Sequence, residues 1–133
     1  MEADVTNGRI VVFDLDQTVA DGSSPPQCVA RPGIRDWMAS LKLLGFDIRV
    51  WTRSSLDHAV EIVTALGLDD LVTSCHEKPR WDEGEEISRE AATRILGALP
   101  ALTVDDWPDE GIEGIPFLQL DPWDGENIEP WSL

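Results

Sequence analysis

Asp14-Leu15-Asp16-Gln17-Thr18 follows directly on the apolar run Ile10-Val11-Val12-Phe13, so two carboxylates and a hydroxyl stand where a buried strand stops. Burying charge is costly unless cations or hydrogen-bond donors compensate, so such a pair needs a partner or faces a cleft. Taken alone it fits a solvated acidic turn equally well, because Asp is a common turn residue. Further along, Thr52 and Arg53 follow a second candidate strand, Cys75 and Lys78 a third, and Asp105 with Asp106 a fourth. A carboxylate nucleophile, a second acid for proton transfer, donors for phosphoryl oxygens and carboxylates to hold magnesium are the parts that phosphoryl transfer needs. Each residue also has a plainer role: Thr52 as a helix cap, Lys78 as a surface ammonium, Asp105-Asp106 as a turn. Their joint occurrence is what points to chemistry.

The elements that must position them alternate. Residues 9–13 predict a buried strand, and residues 21–27, DGSSPPQ, a loop. Pro32 and Gly33 lead into a helix with Ile34, Trp37, Met38, Leu41 and Leu44 at helical spacing, closed by Gly45. Residues 46–51 predict the second strand. Ser54 and Asp57 are spaced as a capping pair for a helix with Leu56, Ala59, Val60, Val63 and Leu66 on one face, stopped by Gly67. A short third strand over 71–74, a loop over 75–84, a helix with Ile87, Ala91, Ile95 and Leu99 inward, and strands over 102–104 and 117–120 complete the pattern. Strand–helix alternation implies right-handed crossovers and an α/β three-layer sandwich around a mostly parallel, Rossmann-like sheet. In such a sheet ligands bind at the carboxyl ends of the strands, where the candidates above fall. The tail, 121–133, predicts a surface strap packing Trp123 and Trp131 over a sheet edge.

With 133 residues and 42% hydrophobic content the chain suits one domain, residues 1–133, with a core over about 9–120. The 26 acidic residues outnumber 10 basic ones, giving a net charge of −16. Such a field repels nucleic-acid phosphates and attracts metal cations, which argues against a nucleic-acid-binding module, a phosphorylated nucleic-acid end excepted. A lysine-poor acidic surface also suits a high-salt cytoplasm. The opening residues lack a basic region and an apolar stretch, and no apolar run reaches membrane-spanning length, so a cytoplasmic, membrane-free protein is expected. Cys28 and Cys75 make neither a disulfide framework nor a zinc set, and His58 and His76 lack metal-ligand spacing.

Four motifs in order, FDLDQT (13–18), VWT ending at Thr52, KP at Lys78-Pro79 and LTVDD ending at Asp106, resemble those of the haloacid dehalogenase-like superfamily, mostly magnesium-dependent phosphatases. The resemblance implies Asp14 as nucleophile forming an aspartyl-phosphate, Asp16 as acid/base, and Thr52 and Lys78 as holders of the phosphoryl group; Thr18 is a further candidate substrate contact, and Arg53, directly after Thr52, is placed either to meet a substrate phosphate or to offset nearby acids. It implies magnesium on the Asp14 carboxylate, the Asp16 carbonyl and Asp106, with Asp105 the second choice and Asp109 or Glu110 a further acid. The stretches 16–52 and 52–78 leave no room for the cap domain that many members insert, so an exposed substrate such as a phosphoprotein or a nucleic-acid end is expected. DLDQT, RPGIRDWMASL and VWTRSS are most similar to polymerase-tail serine phosphatases and polynucleotide-end phosphatases, while Gln17 and VDDW depart from the former. The alternatives are a metabolite or nucleotide phosphatase with a lid from a partner subunit, a dehalogenase, a receiver domain, and a non-catalytic phospho-ligand module. Dehalogenation needs a closed apolar pocket, a receiver domain orders its acids differently, and a dead module would be expected to have lost Asp14 or Asp16.

Overall fold

In the computed structural model, which describes residues 9–79 and 87–125, the strands are β1 (Ile10–Phe13), β2 (Asp47–Thr52), β3 (Ser74–Glu77), β4 (Leu102–Asp105) and β5 (Phe117–Gln119). Helices α1 (Ile34–Leu43), α2 (Leu56–Ala65) and α3 (Arg89–Leu96) connect the first four, and a 3-10 turn, Pro108–Glu110, precedes β5. The sheet order is β3-β2-β1-β4-β5 and every pairing is parallel. This is an α/β, Rossmann-like architecture, with β1 at its centre. A parallel ladder obliges each connection to cross the sheet, which is why helices lie between the strands.

Side-chain alternation along β1 divides the core. Val11 and Phe13 join Ile48 and Val50 of β2 beneath Ile34 and Met38 of α1 and Ala59, Ile62 and Val63 of α2. Ile10 and Val12 face the other way, with Trp51, Ala92 and Leu96. Being covered on both faces, β1 is apolar throughout and all four of its residues are buried. Gly45 and Gly67, both at positive φ, lie just beyond α1 and α2, where only glycine turns without strain.

Three local expectations shift. The third strand lies at Ser74–Glu77 rather than 71–74. Leu71 and Val72 are buried, but their N–H groups both donate to the Leu68 carbonyl, so this apolar pair closes the turn after α2; the first bond to β2 comes from Thr73 N, to the Ile48 carbonyl, and the paired register starts at Ser74. The cap of α2 is Ser55, whose side chain accepts from His58 N, not Ser54. Within α2 the buried residues are Ala59, Ile62 and Val63, whereas Leu56 and Val60 are exposed.

Two further contacts tie the chain's later part to the turn after β1. Trp123 is buried and its backbone N–H donates to the Gln17 carbonyl at 2.9 Å, which holds this part of the tail against that turn. Trp131 lies outside the described residues. The buried Arg31 guanidinium donates to the carbonyls of Gln17, Thr18 and Asp121. Cys28 and Cys75 are free thiols, the latter within β3. No helix among the described residues is long and apolar enough to cross a membrane.

Candidate functional site

Because the strands are parallel, their carboxyl ends form one edge, and the residues leaving β1, β2, β3 and β4 meet there. Asp14 N donates to the Val104 carbonyl at 2.9 Å and Lys78 N to the Thr52 carbonyl at 2.7 Å, so the ladder extends one step and carries these side chains with it. After Asp14 the chain turns sharply: the N–H groups of Val19 and Ala20 both return to the Leu15 carbonyl, and Gln17 takes φ 67. A left-handed conformation costs a side-chain-bearing residue on the order of 1 kcal/mol, so the turn is held by its surroundings.

The turn delivers Thr18, wholly buried, with Oγ1 at 3.1 Å from both Asp14 Oδ2 and Asp106 Oδ1. One hydroxyl carries one proton, so Thr18 can donate to only one of these carboxylates at a time. The other accepts from a different donor, such as water in the cavity, or binds a cation.

Lys78 lies on the opposite side, its side chain 2% exposed, with Nζ at 2.8 Å from Asp105 Oδ2, 2.9 Å from Glu110 Oε1 and 3.4 Å from Asp14 Oδ1. Burial works against its charge, but the three carboxylates outweigh it and hold the ammonium protonated above the usual lysine range. Arg53 grips Glu110 with Nε and Nη2, each at 3.0 Å from a carboxylate oxygen, and donates also to the Pro79 carbonyl. Burial raises Glu110, yet the Arg53 fork and Lys78 overcome it and pull its carboxyl below the ordinary value. Asp14 moves the other way. Burial pushes it well above the ordinary aspartate value, Lys78 counteracts only in part, and Asp105 and Asp106 add to the rise. Asp105 is raised too, by burial first, although Lys78 and the Trp107 N–H hold it.

Four carboxylates, Asp14, Asp105, Asp106 and Glu110, thus face two cations, Lys78 and Arg53. Among the described residues these carboxylates outnumber the cations beside them by two. Asp14, Asp105 and Asp106 each offer a ligand atom, all within 4.8 Å of one another. An all-oxygen donor set of three aspartates could hold a hard divalent cation.

These residues open onto a cavity of about 530 Å³ whose wall includes Asp14, Asp16, Thr52, Asp106, Trp107 and Asp109. Thr52 lies at its floor, 1% exposed, its Oγ1 2.8 Å from Ser54 Oγ and accepting from Ser54 N. Asp16 stands at the rim with its side chain 38% exposed and 3.4 Å from His58 Nε2. Its carboxylate lies outside the three-aspartate group.

Asp14, Asp16, Thr52, Lys78, Asp105 and Asp106 are therefore brought to one place. Thr18 orients carboxylates instead of lining the cavity, and Arg53, although it reaches the wall, is engaged by Glu110. Glu110, considered from sequence as a metal ligand, is the shared counterion of Lys78 and Arg53. Asp109 reaches the wall but not the aspartate group. The contact of His58 with Asp16 and the placement of Trp107 had no sequence signal beyond position: one near the start of a helix, the other directly after a strand's acids. The chain matches no protein-family model, no curated protein and no solved structure.

Proposed function

We propose that this chain is a magnesium-dependent phosphate monoester hydrolase of the haloacid dehalogenase-like kind, without a cap domain, that works through an aspartyl-phosphate on Asp14. The observation that carries the reading is the Asp14 carboxylate at a cavity floor, 3.4 Å from a buried ammonium and 3.1 Å from the Thr18 hydroxyl, with Asp106 sharing that hydroxyl. A carboxylate so placed is oriented, and the ammonium favours the ionised form that a nucleophile needs against the burial that opposes it.

In the first step an Asp14 oxygen forms a bond to phosphorus while the bond from phosphorus to the leaving oxygen breaks. The departing oxygen keeps that electron pair and takes the proton of Asp16, whose carboxyl lines the same cavity and is partly exposed. In the second step Asp16, now a carboxylate, removes a proton from water. The water oxygen bonds to phosphorus, the phosphorus–Asp14 bond breaks, and Asp14 returns to its starting form with inorganic phosphate released. Lys78 and the Thr52 hydroxyl donate to the transferring phosphoryl oxygens, and Lys78 favours the ionised form of Asp14. Asp105 and Glu110 keep the ammonium aimed. Magnesium, held by Asp14, Asp106 and the Asp16 carbonyl, would supply the positive charge that lets a phosphate dianion approach these acids.

The cavity is open, and the connections from β1 to β2 and from β2 to β3 hold only a loop with α1, and α2. This favours a phosphate presented on an accessible substrate. The test is hydrolysis of an aryl phosphate in magnesium, with and without chelator, together with the magnesium-induced rise in melting temperature. Turnover should vanish in chelator, and Asp106→Asn should abolish the magnesium-induced rise. Undiminished turnover in excess chelator would remove the metal from the mechanism, and no turnover of any phosphate ester would remove the function.

A further inference from the structure

Trp107 is 56% exposed, while Trp51 and Trp123 are buried and Trp37 is half-buried, so among the described tryptophans it is the one left in water. It shares the wall of the 530 Å³ cavity with Asp14, Thr52 and Asp106. Its main chain is fixed: the N–H donates to Asp105 Oδ1 at 3.0 Å, the carbonyl accepts from Glu110 N at 3.1 Å, and Pro108 follows at the start of the 3-10 turn. The same carboxylate that receives Lys78 therefore sets the position from which the indole projects. A large flat π-surface stands beside a cavity otherwise rich in carboxylates, where a solvated face would carry a polar residue.

We propose that Trp107 is the platform on which a planar ring in the alcohol half of the substrate stacks, so that the site takes accessible phosphate monoesters of ring-bearing alcohols. The proposal rests on the phosphatase reading and narrows it. An indole face gains more from a ring than from an aliphatic chain, because stacking adds to burial. The cavity volume lies within the range of small-molecule sites. The net charge of −16 and the acids at the wall oppose a polyanion, so the ring arrives on a single phosphate ester and not on a nucleic-acid strand. A nucleoside and a phenol both offer such a ring.

The experiment compares adenosine monophosphate, phosphotyrosine amide and glycerol phosphate, in magnesium, on the wild type, Trp107→Ala and Trp107→Phe. Trp107→Ala should lower kcat/KM for a ring-bearing ester about ten-fold more than for glycerol phosphate, mostly through KM, and Trp107→Phe should restore most of the difference. A differential loss confined to the nucleoside or to the phenol ester supports the platform and identifies its ring. Equal losses on all three esters overturn it. Calorimetric binding of the same three compounds is measured alongside. If the wild type hydrolyses neither these three nor any other phosphate ester, the phosphatase reading falls; whenever none of the three is turned over, the binding measurement decides, and the platform stands only if Trp107→Ala weakens a ring-bearing compound about ten-fold more than glycerol phosphate.

Discussion

Lys78→Met removes an ammonium while keeping an unbranched stem of similar length, and it isolates what that charge does for the fold. The ammonium touches three carboxylates at 2.8, 2.9 and 3.4 Å with the side chain 2% exposed. Deleting one member of a buried charge group costs about 3–5 kcal/mol, because the charges left behind stay out of water. Glu110 retains the Arg53 fork, so the loss falls on Asp105 and Asp14, and the lower end, about 3 kcal/mol, applies. At roughly 0.28 kcal/mol per kelvin of unfolding entropy for a chain of this length, the melting temperature of the metal-free protein falls by about 11 °C near neutral pH. The pH dependence has a definite sign. Asp14 and Asp105 already have folded pKa values raised above the ordinary one, by burial above all, and removing Lys78 raises them further. A group whose folded pKa is raised contributes stability that is present below its unfolded pKa and is lost as pH rises through the folded one. The deficit of Lys78→Met therefore shrinks as pH falls from about 7.5 toward about 5, since protonating the orphaned acids repairs the variant. Scanning calorimetry of both proteins across that range reads it. A loss under about 3 °C near neutrality, or a deficit that widens on acidification, would refute the assignment of Lys78 as the counterion of this cluster.

Asp14→Asn should abolish covalent labelling by substrate in rapid-quench measurements and yet raise the melting temperature of the metal-free protein, since it deletes part of a buried charge surplus; wild-type labelling would end its role as nucleophile. Asp16→Asn should still form the covalent species but slow alkyl phosphates more than aryl phosphates, whose leaving groups depart without a proton; equal slowing of both would contradict its role as the acid. Gln17→Gly should stabilise by about 1 kcal/mol, because φ 67 is strained for glutamine while its hydrogen bonds to Ala20 and Trp123 come from the main chain and persist. A lower melting temperature would show instead that the glutamine side chain matters to the turn.

The alternation of strands and helices is legible because β1, at the sheet's centre, is buried on both faces and reads as an unbroken apolar run, and β2 beside it buries Ile48, Val50 and Trp51. β3 was misplaced by three residues for the converse reason. As an edge strand its residues Ser74–Glu77 are only partly buried or exposed, while the apolar signal next to it belongs to Leu71 and Val72, which pack under α2. The acids, Thr52 and Lys78 could be gathered from sequence because a parallel sheet puts strand ends on one edge without any need to know side-chain positions. The pairings among them could not. Glu110 with Arg53, Glu110 with Lys78 and His58 with Asp16 span 57, 32 and 42 residues, and nothing local distinguishes an acid that neutralises a cation from one that awaits a metal.

Arg31 gives the chain's far end a say in its near end. This guanidinium joins the carbonyls of Gln17 and Thr18 to that of Asp121, so the peptide that aims Thr18 at Asp14 and Asp106 is clamped by a residue lying beyond the last strand. A nick before Asp121 would leave every strand of the sheet and all three helices intact while loosening that clamp and withdrawing Trp123 from the Gln17 carbonyl. Far-ultraviolet dichroism would barely change, whereas the spacing between the two carboxylates that share one hydroxyl would drift. The C-terminal segment thus acts as a tension member for chemistry encoded more than a hundred residues earlier, and trimming it would separate foldedness from competence.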